Sequence, residues 1–532
     1  MIEPAAHSIS TAPIGNGDVI LHALDALTGP LVQAATETLG EQHPNAAILA
    51  PEALASAQAH LREQLAQRAY ASVRQEYTLH CALQGTFPWP HGAAETDATD
   101  VSFLTAMTHG GLNEILGRLP GLRELLNVAV QDWVRATALL ANRFCEDWDR
   151  LRFRFGLLDI KPRIAALQTG LGDPHDGGQT VAILTTGCGG KLVYKPRSLD
   201  MDHALGRLLT WVNGEGYSHP FAILDIDARS TDYGWAACSG RADCASPDDT
   251  AVFFHRAGGL LCLAGILQAT DLHRENIIAV GSNPVIVDAE TFFQPRISRE
   301  NEQDWNCPDH LLRDTGMLPP FGAKTSSDFS ALCSVPGTRT GILLTHKNAR
   351  YHLPAGDHLP YVNGAPQTAR AHITDLLHGF CEMFALIAHS RTELLEEDGP
   401  LQQFRGARGR FVARGTQVYG SILGASYAPE HLREINGRRN HLASALNALT
   451  TEQPGTDPIR RAEVDALLRG DVPHLQFQPD RIDWPGTGAP PFDQVRARIK
   501  ALRPDQVDQW TRTIQKLLTS PAPSEPASDR QI

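Results

Sequence analysis

An aspartate, a histidine and an asparagine lie close together near the middle of the chain. They are Asp271, His273 and Asn276, and two more carboxylates, Asp288 and Glu290, follow a short distance downstream. Phosphoryl transfer uses these residue types, because one group orients or deprotonates the attacking hydroxyl while an amide oxygen and a carboxylate hold Mg²⁺. The pattern therefore favours a phosphotransferase site, with a purely structural loop as the alternative.

The segment between Asn276 and Asp288 predicts a β-hairpin. Two apolar, β-branched runs at 277–280 and 285–287 are joined by a turn-rich tetrad at 281–284. A hairpin of this length folds back on itself. We therefore expect Asn276 and Asp288 to reach the same metal ion.

Two weaker signals lie upstream. Lys195 ends an alternating run at 191–195 next to a glycine-rich turn, where its ammonium group can reach nucleotide phosphates. Taken alone, a surface lysine on an edge strand is the more frequent explanation. The loop 172–178 carries Asp173 and His175 and can close over phosphates, although alone it is an ordinary turn. All four elements in this order favour a nucleotide-dependent phosphotransferase.

A basic segment follows further downstream, with Arg405, Arg408, Arg410 and Arg414 ahead of Thr416. A solvated basic turn is the simplest interpretation. A guanidinium fork also matches phosphate oxygens bidentately. A lysine and Mg²⁺ are sufficient to bind the phosphates of ATP in a kinase core. The extra arginines therefore suggest that a second phosphate group, on the product, is also bound.

Composition limits the class of protein. The 532 residues, 42% hydrophobic and 20% charged, suit a globular protein of several domains, at roughly 150 residues each. A net charge of −13 argues against a nucleic-acid partner. We see no secretory signal and no apolar run of the ~18 residues that a membrane span needs. Nine cysteines without a Cys-x-x-Cys pair indicate a reduced, cytoplasmic protein and argue against a zinc site.

The pattern along the chain predicts an α+β protein with four segments. Residues 1–150 form an N-terminal helical subdomain, with clear helical periodicity at 53–73 and 122–144. Residues 151–425 form a mixed core with paired strands at 181–184 and 191–195 and helices at 200–214, 251–269 and 371–397. Residues 426–519 are helical again, and 520–532 are a disordered tail.

Taken together, these residues resemble the dehydratase domain of class II lanthipeptide synthetases, the LanM family, from about residue 100 to 480. Several motifs in order carry the resemblance: Gly-Asp-Pro-His-Asp-Gly-Gly (172–178), Lys-Leu-Val-Tyr-Lys-Pro-Arg (191–197), Phe-His-Arg-Ala-Gly-Gly (254–259), Thr-Asp-Leu-His-Arg-Glu-Asn-Ile-Ile-Ala (270–279), Pro-Val-Ile-Val-Asp-Ala-Glu-Thr (284–291), Arg-Phe-Val-Ala-Arg-Gly-Thr-Gln-Val-Tyr (410–419) and Gly-Asp-Val-Pro (470–473).

The resemblance implies a lipid-kinase-like bilobal core with added N- and C-terminal helical subdomains. It implies that ATP and Mg²⁺ are used to phosphorylate Ser and Thr in a ribosomal precursor peptide with a leader, and that the phosphate is then eliminated to leave dehydroalanine or dehydrobutyrine. The matching motifs imply a role for each residue. Asp173, His175 and Lys195 would bind the nucleotide, and Asp271, His273 and Asn276 would form the catalytic loop. Asp288 and Glu290 would be the metal ligand and the acid that supports it, and Arg410 and Thr416 would act in elimination.

The sequence also departs from the family. Full-length members carry a C-terminal zinc cyclase, whereas no cysteine follows Cys381 here, so we expect no ring closure by this chain. A separate cyclase, spontaneous cyclisation and an uncyclised product stay open. The base that removes the Cα proton is not identified. The competing functions are a kinase that does not eliminate and an inactive module that binds a leader peptide.

Overall fold

The structure is a computed structural model, and it describes residues 18–86, 98–296, 307–319, 330–334, 357–449, 457–484 and 488–519. The chain forms two compact units. Unit 1 comprises Met1–Pro196, Arg414–Gln453 and Ile459–His474, and unit 2 comprises Arg197–Ala413, Pro454–Pro458 and Leu475–Ile532. The predicted tail 520–532 lies outside the described residues, and the four predicted segment boundaries stay predictions.

Helices make up most of the described secondary structure. They are α1 (Asp18–Gln42), α2 (Pro51–Leu83), α3 (Ala98–Ala106), α4 (Leu112–Arg118), α5 (Pro120–Arg154), α6 (Asp200–Gly214), α7 (Pro247–Ile266), α8 (Pro308–Asp314), α9 (Ile373–His389), α10 (Arg391–Leu394), α11 (Thr416–Ala425), α12 (Pro429–Leu432), α13 (Gly437–Ala448), α14 (Asp457–Arg469), α15 (Pro491–Ala501) and α16 (Val507–Thr519).

The strands are short. They are β1 (Ile164–Gln168), β2 (Ala182–Thr186), β3 (Lys191–Lys195), β4 (Ile226–Asp227), β5 (Gly234–Ala237), β6 (Ile277–Val280), β7 (Asn283–Ile286), β8 (Tyr361–Val362), β9 (Ala365–Pro366), β10 (Gly409–Phe411) and β11 (Leu475–Phe477). The mixture of many helices with small antiparallel sheets agrees with the predicted α+β class.

Unit 1 is built on long helices. In α2, the buried residues Ala53, Ala57, Leu61, Leu65 and Ala69 recur every fourth position, which places them on one face. This helix packs against α1 and α5. The predicted helical segments at 53–73 and 122–144 lie inside α2 and α5 and are confirmed.

Helix α1 has the length and composition of a membrane span over Val19–Gln42, and it is the one described helix that does. No such run was predicted from the sequence. Polar residues interrupt this stretch, but its mean hydropathy is still high enough for a membrane span. A core helix meets the same test. Part of the helix, including Ala23, Leu24, Leu27 and Leu39, is buried, and α1 packs on α2 and α5.

The strands β1, β2 and β3 of unit 1 pair antiparallel in chain order. In β2 the side chains of Ala182, Leu184 and Thr186 are buried while the intervening ones are more exposed, as expected for a strand with one covered face. Gly189 has a φ of +86° in the β2–β3 turn, a conformation that glycine adopts without strain. The predicted strand pair is therefore confirmed.

Unit 2 contains a close pair of helices, α7 and α9. A Cβ atom on Gly258 would lie 1.9 Å from the backbone oxygen of Leu376, and one on Gly379 would lie 1.8 Å from that of His255. The two backbones can approach this closely only because both residues lack a side chain. Helix α7 begins with a capping box formed by Ser246 and Asp249.

The hairpin predicted ahead of Asp288 is present as β6 and β7. Ile277 pairs with Ile286 and Val280 with Asn283, so only Gly281 and Ser282 form the turn. The predicted four-residue turn was therefore too long. The left-handed φ of +57° at Gly281 accounts for the tighter reversal.

Two further elements differ from the sequence prediction. The helix expected at 371–397 is two helices, α9 and α10, separated at Ser390, whose hydroxyl donates to Glu215.

The strand β11 lies in a region predicted to be helical throughout. It pairs with β10, with Arg410 opposite Gln476. A tertiary partner distant in sequence defines this strand, and helical periodicity gives no signal for it.

Candidate active site

The loop that carries Asp271, His273 and Asn276 connects α7 to β6 in unit 2. Asp271 has a φ of +61°, which is uncommon for a residue with a side chain and is stable only where the surroundings fix it. The side-chain amide of Asn276 donates to the Asp271 carbonyl at 2.7 Å, and the Leu272 N–H donates to the Thr315 carbonyl at 2.7 Å. These bonds hold the loop in the strained conformation.

His273 lies beside Asp271. The Nε2 atom of His273 is 3.3 Å from Oδ1 of Asp271, and the backbone N–H of Glu275 donates to Nδ1 at 3.2 Å. Because Nδ1 accepts a hydrogen bond, the proton of the neutral ring belongs on Nε2 and points to the carboxylate. His273 thus orients Asp271 by donating to it.

The environment of Asp271 makes its carboxylate a stronger base than usual. Desolvation raises its pKa, and the negative charges of Asp288 and Glu290 act in the same direction, against the opposing effect of His273 and Arg410. The side chain is still 29% exposed, so a substrate can reach it. A carboxylate that is both accessible and basic suits the acceptance of a proton from a hydroxyl.

The hairpin brings Asn276 and Asp288 to the same end of the β6–β7 pair. The Val287 N–H donates to the Asn276 carbonyl at 2.9 Å, directly ahead of Asp288. Since the amide nitrogen of Asn276 is bonded to a backbone oxygen, its amide oxygen is the atom suited to a cation. An amide oxygen and a carboxylate are ligands that Mg²⁺ accepts.

A buried arginine joins the acids of this site. The guanidinium of Arg197 contacts Asp202 through Nη1 at 2.7 Å, Asp288 through Nη2 at 2.5 Å and Glu290 through Nε at 3.0 Å. Its side chain is 9% exposed. Burial by itself lowers the pKa of Arg197, but the three carboxylates outweigh that effect and hold the pKa above its ordinary value. The arginine is therefore a permanent cation.

A second arginine reaches the same cluster. Arg410 donates from Nη1 to Oε1 of Glu290 at 3.3 Å, and its backbone N–H donates to the Glu290 carbonyl at 2.8 Å. The Arg410 carbonyl accepts from the side chain of Gln294 at 2.6 Å. A Cβ atom on the preceding Gly409 would lie 2.8 Å from the Glu290 carbonyl, so this close approach requires glycine.

The cluster is rich in carboxylates. Two guanidinium groups lie among four carboxylates; the members are Arg197, Arg410, Asp202, Asp271, Asp288 and Glu290. Carboxylate oxygens together with the Asn276 amide oxygen are ligands that suit a divalent cation. Among the described residues no three His, Cys, Asp or Glu side chains converge as a metal-binding group, so any cation here would rely on asparagine, substrate or water for other ligands.

Unit 1 holds the loop 172–178 within a cluster of its own residues. Both carboxylate oxygens of Asp471 accept from this loop, Oδ2 from the Gly177 N–H at 2.6 Å and Oδ1 from the Gly178 N–H at 2.9 Å. The glycines have φ values of +87° and +74°. Consecutive N–H groups that converge in this way form an anion-binding concavity, here filled by a carboxylate.

The histidine of the same loop is tied to the same segment. Nδ1 of His175 donates to the Val472 carbonyl at 2.7 Å, and its ring lies 5.3 Å from that of His474. His474 in turn contacts Asp176 at 3.0 Å. The two motifs at 172–178 and 470–473, distant in sequence, therefore form one structure in unit 1.

The remaining predicted residues also lie in unit 1. Lys195 ends β3 and is 5% exposed, which excludes an ordinary surface lysine. Asp173 is partly exposed in the loop, and Thr416 is the first residue of α11. Nearby, Glu463 is fully buried and accepts from Arg414 at 2.8 Å and from Tyr419 at 2.7 Å. These bonds anchor both sides of Thr416.

The structure thus brings six predicted residues into unit 2 and four into unit 1. Unit 2 holds Asp271, His273, Asn276, Asp288, Glu290 and Arg410; unit 1 holds Asp173, His175, Lys195 and Thr416. No role was predicted from the sequence for Arg197, Asp202 or Asp471. Arg197 and Asp471 lie inside motifs that were recognised, so the motifs were the available signal; nothing in the sequence marked Asp202.

Comparison of the chain with known proteins identifies its family. Residues 119–478 match the family described as a domain of unknown function, DUF4135. The chain is also 23% identical over 402 residues to the lacticin 481/lactococcin biosynthesis protein LcnDR2 of Lactococcus lactis subsp. lactis. That alignment covers 70% of this chain and 42% of the relative, so the chain spans less than half the relative's length.

The matched range contains both clusters, from the loop 172–178 to the segment 470–473. Because the family match covers more than half of the chain, membership follows from it, and the relative is similar to the chain across most of the same range. The chain belongs to the DUF4135 family and is similar to a lacticin 481/lactococcin biosynthesis protein.

Proposed function

We propose that this protein dehydrates Ser and Thr residues of a ribosomal precursor peptide in two steps, phosphorylation by ATP and elimination of the phosphate. The observation that carries the proposal is the cluster of unit 2, in which Arg410 bonds to Glu290 beside Asp271 and Asp288. One set of residues there suits a phosphoryl transfer and another suits a departing phosphate. A kinase-like core of the lipid-kinase type is part of this proposal.

In the first step, Asp271 accepts the proton of the substrate hydroxyl as the oxygen attacks the terminal phosphate of ATP. Its raised pKa favours this transfer, and His273 keeps the carboxylate oriented. Asn276 and Asp288 would hold Mg²⁺, which neutralises charge on the transferring phosphate. Lys195 and the loop around Asp173 and His175 are proposed to bind the nucleotide phosphates.

In the second step, the Cα–H bond and the Cβ–O bond of the phosphorylated residue break and a carbon–carbon double bond forms. The proton goes to a base, and the electron pair of the Cβ–O bond leaves with the phosphate. Arg410 compensates the negative charge of the departing phosphate, and Thr416 donates a hydrogen bond or positions the peptide. Phosphorylation is needed first, because hydroxide is a far poorer leaving group than phosphate.

The test is the intact mass of a Ser/Thr-rich candidate precursor peptide after incubation with the protein, ATP and Mg²⁺. A loss of about 18 Da per residue reports both steps, because net loss of water requires phosphorylation and elimination. A gain of about 80 Da without later loss would mean a kinase that does not eliminate. No mass change together with no ATP turnover would support a leader-binding module and contradict the proposal.

Two substitutions separate the steps. Asp271→Ala is expected to abolish both products, because it removes the group that receives the hydroxyl proton. Arg410→Ala is expected to phosphorylate and then accumulate the phosphopeptide. Normal dehydration by Arg410→Ala would remove Arg410 from the elimination step.

A further inference from the structure

We propose that Arg197 is a positioning residue that couples the two half-reactions, because it holds the metal-site acid Asp288 and, through Glu290, the elimination residue Arg410. This inference rests on the proposed function and adds a residue to it. Arg197 does not touch substrate in this scheme; it fixes the groups that do.

The contacts of Arg197 use the whole guanidinium. Nη1 and Nη2 both reach Asp202, at 2.7 and 3.3 Å, while Nη1 also donates to the Ser198 carbonyl at 2.7 Å. These bonds anchor the Nη1 end of the group. Nη2 is shared with Asp288, which it contacts at 2.5 Å, and Nε holds Glu290 at 3.0 Å. The guanidinium therefore sets the distance between these two acids.

Glu290 transmits this constraint to Arg410. Its Oε2 atom pairs with Arg197 and its Oε1 atom pairs with Arg410 at 3.3 Å. Its backbone N–H also donates to Asp288 at 3.2 Å. Because both carboxylate oxygens are engaged, rotation of Glu290 toward either arginine would lengthen its contact with the other. The position of the Arg410 guanidinium thus depends on Arg197 through one shared, buried carboxylate.

Lysine cannot replace Arg197 in this arrangement. A lysine ammonium carries the same charge on a point, whereas the guanidinium offers a planar fork with an additional donor at Nε. The Nε–Glu290 contact is the one that leads to Arg410, and lysine has no donor at that place. We expect Arg197→Lys to keep the cationic charge of the cluster but to loosen the hold on the Glu290 carboxylate, and through it on the Arg410 guanidinium.

The predicted signature is a change in the ratio of products. If Arg197 positions Arg410, Arg197→Lys slows elimination more than phosphorylation, and the ratio of phosphorylated to dehydrated peptide rises about tenfold or more, as loss of one well-placed charged contact would produce. If Arg197 had a merely structural role, the substitution would reduce the fraction of folded protein. Phosphorylation and elimination would then slow by the same factor, and the product ratio would stay unchanged.

The experiment measures this ratio by mass spectrometry with the full chain, a Ser/Thr-rich candidate precursor peptide, ATP and Mg²⁺. Elimination is also assayed by itself on a synthetic phosphoserine form of the same peptide, which bypasses the kinase step. Glu290→Gln is a second variant, because an amide oxygen can accept from one arginine but not replace both carboxylate contacts. It should shift the ratio in the same direction.

The matched control is Arg438→Lys. Arg438 is a buried arginine whose guanidinium bonds Ser426, Leu467 and Leu468, none of which belongs to the cluster. Arg438→Lys should leave the ratio of phosphorylated to dehydrated peptide unchanged, even if it lowers the yield of folded protein. An unchanged ratio in both folded Arg197→Lys and Glu290→Gln would overturn the inference. Failure of the wild-type chain to phosphorylate the peptide would instead overturn the proposed function, so the two failures are distinguishable.

Discussion

The Asp471 carboxylate is predicted to hold the glycine loop of unit 1, and Asp471→Asn tests this directly. Asp471 is 2% exposed and accepts from the N–H groups of Gly177 and Gly178. Asparagine has nearly the same shape, but one of its two terminal atoms is an NH₂ donor. Whichever way the amide turns, one glycine N–H then faces a donor.

The magnitude follows from the burial and the bonds. A hydrogen bond to a charged acceptor contributes roughly 1.5–3 kcal/mol, and an N–H left without an acceptor in a buried site costs a similar amount. An opposing effect reduces the loss: desolvation of the carboxylate, with the nearby charges of Asp132 and Asp176, raises the pKa of Asp471 despite the two glycine N–H bonds. We therefore expect Asp471→Asn to destabilise the loop by about 1–3 kcal/mol.

Amide hydrogen exchange of a peptide that spans 172–180 measures this loss at the loop. A change of about 1.4 kcal/mol corresponds to tenfold faster exchange, so protection should fall about tenfold or more if opening limits exchange. Urea unfolding reports any effect on the rest of unit 1. Unchanged protection at Gly177 and Gly178 in the folded variant would refute the assignment of Asp471 as their anchor.

Asp480→Asn is the control for this prediction. Asp480 also accepts from a glycine N–H, that of Gly406 at 3.1 Å, but in a solvent-exposed contact. Water can replace that bond, so we expect a change within about 0.5 kcal/mol. An equal loss in both variants would mean that burial of the Asp471 contact is not what gives it its strength.

Further outcomes are expected elsewhere in the chain. Arg414→Met should lower the free energy of unfolding in urea by about 3–5 kcal/mol, because it leaves the fully buried Glu463 carboxylate without its cationic partner. The double variant that also carries Glu463→Leu should recover much of this loss. Gly379→Ala should lower the melting temperature strongly, since its Cβ would lie 1.8 Å from the His255 carbonyl, whereas substitution of an open surface glycine should not. Burial, with a neighbouring histidine, lowers the pKa of His441 from its ordinary value of 6.5, so the unfolded chain binds the proton first as the pH falls. The unfolding free energy should therefore decrease as the pH falls through 6.5, and it should decrease less in His441→Phe.

The elements defined by local pattern were predictable from the sequence. The β6–β7 hairpin combines two β-branched runs with a glycine turn, and α6 has the predicted bounds, residues 200–214. Both depend on interactions between residues near one another in the chain. The turn length of the hairpin was still wrong, because the backbone conformation of Gly281 decides it and composition does not.

Contacts between distant residues were not predictable in the same way. The strand β11 is defined only by its partner β10, and the carboxylate that fills the glycine concavity lies 294 residues from Gly177. The motif that contains Asp471 is recognisable in the sequence, but the backbone atoms that Asp471 binds are not. Such a contact depends on the path of the whole chain.

The candidate site shows the same division. By itself, the sequence determined the residue types and the order of the loop Asp271–Asn276 and the acids Asp288 and Glu290, since local spacing and turn chemistry fix them. Only the tertiary structure decided that Arg197 joins Asp288 to Glu290 and that Glu290 is shared with Arg410. A buried guanidinium must find carboxylates wherever the fold delivers them, because in a low-dielectric interior an unpaired charge is costly, and sequence distance carries no information about that pairing.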